Sequence, residues 1–71
     1  MRIFFTKHAR LRLAERSIKE ITVRDILETP DFISRAYDDK SAYRKKINGE
    51  VVEVVCVKSR DKFLVITAYY V

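Results

Sequence analysis

The spacing of apolar and polar residues changes along the chain, and each change marks an element. Arg2 to Phe5 (Arg-Ile-Phe-Phe) reads as a short strand. Thr6 then fits an N-cap, its hydroxyl able to accept from the amide of Ala9 or its neighbour, and a first helix is predicted to run to about Arg16. Ser17-Ile18-Lys19 breaks it without the glycine common at such an end. Thr22 with Asp25 resembles a capping box, with Ile21 and Ile26 placed as a hydrophobic staple. Val23, Ile26 and Leu27 supply the apolar stripe of a second helix of about two turns. Thr29-Pro30 ends it, because the residue before proline is driven from helical space.

Beyond Pro30 the period becomes two. Phe32 to Tyr37 has strand character and Asp38 to Ser41 a turn. Ala42 to Ile47 alternates, with Tyr43 and Ile47 on one side and Arg44 and Lys46 on the other. Asn48-Gly49 predicts a type I′ hairpin turn. Glu50 to Lys58 is a valine-rich strand, Ser59 to Lys62 a second tight turn, and Phe63 to Val71 the last strand. The order is βαα followed by a three- to four-stranded antiparallel meander: one two-layer α+β domain over residues 1–71, with helices on one sheet face.

Alternation also divides the faces. Val52, Val54, Cys56, Leu64 and Ile66 form a continuous uncharged set and are expected in the core. The opposite face then carries Arg44, Lys46, Glu53, Thr67 and Tyr69 among Val51, Val55 and Val65. Three uses fit such a face: an ordinary half-polar surface, an RNA-contacting sheet on which aromatics stack bases and cations meet phosphate, or a homodimer interface through the valines.

Composition narrows the partners. Fifteen basic against ten acidic residues give the 71-residue chain a formal charge of +5, which favours RNA or an acidic partner protein. A domain of about 60 residues buries only about 60% of its unfolded surface. No internal disulfide can help, since Cys56 is the single cysteine; it lies in an apolar run and reads as a small buried hydrophobe. One histidine and one cysteine far apart give no metal-site spacing, so neither metal nor cofactor is expected. The longest apolar runs fall far short of a membrane span, and a reducing cytoplasm is the expected compartment.

The candidate chemistry gathers on the first helix. His8, Arg12 and Arg16 fall within about 80° of one another at ~100° per residue, on the sector continued by Ala9 and Leu13. Charges on a core-facing sector are either paired or line a site. Cleavage of RNA by its own 2′-hydroxyl needs a proton acceptor, cations for the phosphate and a proton donor. Histidine suits either proton role, and arginine's planar fork suits the phosphate. His8 lies in the first helical turn, where free amides favour anions. His8 and Arg12 are thus candidate catalytic residues with Tyr43 or Tyr69 for stacking or proton transfer, and Arg16, Arg44 and Lys46 are candidate substrate-binding cations. The structural alternative has Arg12 and Arg16 paired with Glu15, Glu20, Asp31, Asp38 or Asp39, fastening helix to sheet, and the tyrosines packing.

The run Phe5-Thr6-x-His8-Ala9-x-x-Arg12-x-x-x-Arg16, with Pro30-Asp31, Tyr43-Arg44-Lys45, Asn48-Gly49, Val54-Val55 and Val65-Ile66-Thr67-Ala68-Tyr69, resembles the domain-of-unknown-function family numbered forty-two fifty-eight, over nearly the whole chain. That family is grouped with the RelE/ParE-like toxins of bacterial toxin–antitoxin pairs. The resemblance implies a two-helix, antiparallel-sheet RelE-like fold, a toxin-type ribonuclease role without metal, and an antitoxin-like partner. Ribosome-dependent nucleases of that group typically carry Lys, Arg and Tyr on the sheet and in a C-terminal segment. Here the last predicted strand runs to Val71, so the site is expected between the first helix and the sheet.

Overall fold

The Asn48-Gly49 turn forms as its dipeptide dictates: φ is 50° at Asn48 and 85° at Gly49, the two positive values of a type I′ turn. A computed structural model describes all 71 residues. Its elements are β1 (Arg2–Phe5), α1 (Lys7–Glu15), α2 (Glu20–Glu28), β2 (Phe32–Arg35), β3 (Ser41–Ile47), β4 (Glu50–Ser59) and β5 (Lys62–Tyr70). This is the expected α+β class, with the helices against one sheet face.

The sheet is larger than the predicted meander. Its five strands run in the order β1-β5-β4-β3-β2. β2 to β5 form a four-stranded antiparallel meander, and β1 joins its far edge parallel to β5, from Arg2 opposite Lys62 to Phe5 opposite Val65. A parallel pair requires a long crossover, and everything between β1 and β5 supplies it.

α1 starts at Thr6, whose Oγ1 accepts from the Ala9 amide at 3.0 Å. It ends in a Schellman motif built without glycine. Ser17 takes φ 56°, its amide bonds to the Ala14 carbonyl, and the Ile18 amide bonds to the Leu13 carbonyl. Leu13 and Ile18 are both buried, so this apolar pair offsets the strain of a left-handed serine, about 1–2 kcal/mol.

Anchoring Ile18 also moves the start of α2. The helix begins at Glu20 with Lys19 at its N-cap and no side-chain cap. Thr22 therefore lies inside the first turn, and its amide bonds to the Lys19 carbonyl; the expected capping box with Asp25 does not form. Ile21 is 69% exposed, so it makes no staple with Ile26. Asp25 instead receives Lys45 Nζ at 3.2 Å, which ties α2 to β3. Arg10 pairs with Glu20 to join the two helices.

The core comprises Ala9, Leu13, Ile18, Val23, Ile26 and Leu27 from the helical half, with Val52, Val54 and Cys56 of β4 as expected. β5 departs from the reading. Val55 pairs with Thr67 but Cys56 with Val65, so Ile66 is a bulge residue. One extra residue reverses the facing of all that lies beyond it. Phe63 and Val65 are buried in place of Leu64 and Ile66, and Leu64 is 39% exposed on the other face.

Candidate functional site

Two small networks carry the sequence-predicted residues. The first is on α1. His8 is exposed, and its Nε2 accepts from Arg12 Nε at 3.3 Å. Arg12 Nη1 also donates to Glu15 Oε1 at 2.9 Å. These are the i, i+4 and i, i+3 spacings at which helix side chains meet. Arg16, the C-cap residue, turns to the sheet. β1 pairs with β5 only as far as Val65, so β5 beyond that point has no strand neighbour on that side. Arg16 Nη1 donates there to the Ala68 carbonyl at 2.8 Å and to Thr67 Oγ1 at 3.3 Å. The fastening role foreseen for an arginine is thus real for Arg16, with a carbonyl as partner instead of an acid.

The second network crosses the sheet on the face away from the helices. Strand register sets Phe32, Arg44, Glu53 and Tyr69 side by side on four strands. Glu53 is only 7% exposed although no helix covers it. Its Oε1 accepts from Arg44 Nε at 2.5 Å and its Oε2 from the Tyr69 hydroxyl. Burial pushes the Glu53 carboxyl up, but the hydrogen bonds from Tyr69 and Arg44 and the Arg44 charge outweigh it, so its pKa lies below the usual range. Tyr69 is pushed up to about 12, first by the hydrogen bond it gives Glu53, then by burial and the Glu53 charge.

The other candidates lie apart from this row or at its margin. Lys46 shares the Arg44 side of β3; it is exposed, and its amide donates to Asp31 Oδ2 at 2.9 Å. Tyr43 does not join the site. It points into the core with its ring edge against Phe63, centroids 5.6 Å apart, because residues adjacent to Arg44 face the helices. Cys56 is buried and its thiol pushed up to about 11 by that burial, the behaviour of an inert core hydrophobe. Of the valines expected on the open face, Val65 is in the core and Val55 is covered by its neighbours.

Glu53 is the centre that sequence reasoning missed. Its signal was a single charge inside the run Val51 to Val57, which alternation alone places on a face without showing that the face closes over it.

The row has a pH signature. Tyr69's raised pKa means its contribution to stability is full below the unfolded value of about 10 and is lost as pH rises through about 12. Glu53's lowered pKa means its contribution is full above the ordinary carboxylate range and is lost as pH falls through the lowered value. Ultraviolet titration of tyrosinate in wild type beside Glu53→Gln checks the link: the last step should move down towards 10 in the variant. An unmoved step would show that Glu53 does not hold the Tyr69 proton.

A two-layer α+β domain with both helices on one face of a mixed sheet is the class these features define. Within it, the chain belongs to the family described as Domain of unknown function (DUF4258), whose model matches residues 5–70. No curated protein and no solved structure matches it. No helix is long and apolar enough to cross a membrane.

Proposed function

We propose that this domain is a RelE-like, toxin-type ribonuclease that acts in the cytoplasm without metal, cutting RNA where α1 meets the open face of the sheet. One observation carries the reading. Arg16 reaches from the helix that bears His8 and Arg12 to Thr67, which lies two residues from Tyr69 on the open face. Arg16 thereby ties the helix that carries these candidates to the strand that carries Tyr69.

Roles follow from the partners. His8 Nε2 is an acceptor in this arrangement, as a group that takes the 2′-hydroxyl proton must be. Arg12, turning from His8 to a phosphate, would free that nitrogen and hold the charge that builds on phosphorus. Arg44 and Lys46 extend the cationic surface. Tyr69, protonated to about pH 12 and engaged with Glu53, suits base stacking better than proton transfer.

A second reading is a binding module without turnover, holding RNA or an acidic antitoxin-like protein. The satisfaction of Arg44 and Tyr69 by Glu53 favours it, since settled groups bind more readily than they react. Incubating the purified protein with total RNA in EDTA separates the two. The ribonuclease reading expects fragments that accumulate with time. RNA retained intact, with salt-sensitive affinity, would sink it in favour of the binding module.

A further inference from the structure

Glu53 is the single charged residue among the buried ones, and both of its oxygens are occupied. Arg44 spends only Nε on it. The guanidinium is part-exposed and keeps its remaining N–H groups on the open face. Tyr69 is pinned through its hydroxyl, which fixes the ring. Around this pair stand two aromatics with no such tether. Phe32, beside Arg44 in the same row, is 57% exposed, and Tyr37, in the turn after β2, is 55% exposed. Lys40 Nζ lies 5.1 Å from the Tyr37 ring centroid, and the turn is closed by the Lys40 amide on the Tyr37 carbonyl at 2.9 Å. Tyr37 also lies near enough to Tyr69 to bear on its ionisation.

Phe32, Arg44 and Tyr69 therefore set aromatic and cationic groups across one face, with Tyr37 and the Lys40–Asp39 pair in the turn that follows β2. A single-stranded nucleic acid presents the same alternation of base faces and phosphates, whereas a duplex hides its base faces. Glu53 adds no bare negative charge, because it is buried and neutralised by Arg44.

We propose that this face binds single-stranded RNA, with bases stacked on Phe32, Tyr37 and Tyr69 and phosphate held by Arg44, and that Glu53 is the positioning residue that fixes the platform without touching the RNA. The proposal rests on the RNA reading above; it names the form of RNA and adds Phe32, Tyr37 and Glu53 to Arg44 and Tyr69.

A labelled single strand carrying 2′-O-methyl groups provides the test, because it cannot be cut through its own 2′-hydroxyl and so reports binding alone. Wild type should bind it at least about tenfold more tightly than the matching duplex. Phe32→Ala and Tyr37→Ala, at exposed positions that leave the fold intact, should each weaken binding about 5- to 100-fold. Glu53→Gln should weaken it while leaving the dependence on salt unchanged, whereas Arg44→Ala should also flatten that dependence by about one phosphate contact. Equal affinity for strand and duplex, no binding of the strand, or full affinity in both aromatic variants would overturn the platform. Wild type that binds the strand but leaves ordinary RNA intact would keep the platform and remove the ribonuclease. Cleavage of ordinary RNA with unweakened aromatic variants would do the reverse.

Discussion

Ile26→Ala should cost about 2–5 kcal/mol, the range for truncating a buried isoleucine to alanine. Ile26 is the largest side chain with no exposure at all. It lies on α2, against the sheet face that carries Val52 and Val54. A domain of this length has a total stability on the order of 4–10 kcal/mol, so one substitution removes a large share and a populated unfolded state should follow at modest urea. Ile21→Ala on the same helix is the internal control. It deletes the same atoms from a side chain that is already mostly in water, and its effect should stay within about 0.5 kcal/mol. Urea midpoints for both variants decide the matter. Equal losses would mean that α2 is rotated from the orientation described, bringing Ile21 into the core.

That comparison also shows which parts of the fold a linear reading can reach. Thr6, Pro30 and Asn48-Gly49 act through neighbours within a few residues, and each does in the structure what its chemistry predicts. The alternation of Tyr43 and Arg44 is similarly local, and it separates a core tyrosine from an open-face arginine correctly even though both had been candidates for one site. The start of α2 eluded the same reasoning because the Thr22-Asp25 signal competes with Ile18, whose burial depends on the sheet above it. The bulge at Ile66 has no glycine or proline to announce it; it reflects a register between β4 and β5 that is set across the whole hairpin. β1 finds a parallel partner at the other end of the chain, which no local pattern encodes. Glu53 is the sharpest case. Its burial requires Arg44 from one strand and Tyr69 from another to close over it, so a residue that reads as a solvated charge becomes the hub of a hydrogen-bonded row.

His8→Ala should slow the proposed RNA cleavage about 10²- to 10⁴-fold, the usual worth of a positioned proton-transfer group, while leaving the urea midpoint unchanged. The second half of that expectation follows from the structure: His8 is exposed, and its side-chain hydrogen bond is the 3.3 Å contact from Arg12. Removing the ring exposes no core and orphans no buried group. The first half depends on His8 being the one histidine in the chain and on Tyr69 having given its hydroxyl to Glu53, which leaves the sheet row without an evident base. Arg12→Ala should also slow cleavage, but by a different route, because it uncovers His8 Nε2 while removing the nearest cation from the phosphate. The two variants can be told apart with a slowly cleaved substrate under conditions where binding saturates. His8→Ala then keeps its affinity and loses rate, whereas Arg12→Ala loses both. Fragments produced at the wild-type rate by His8→Ala would take the imidazole out of the mechanism and leave α1 as the part that braces β5 through Arg16.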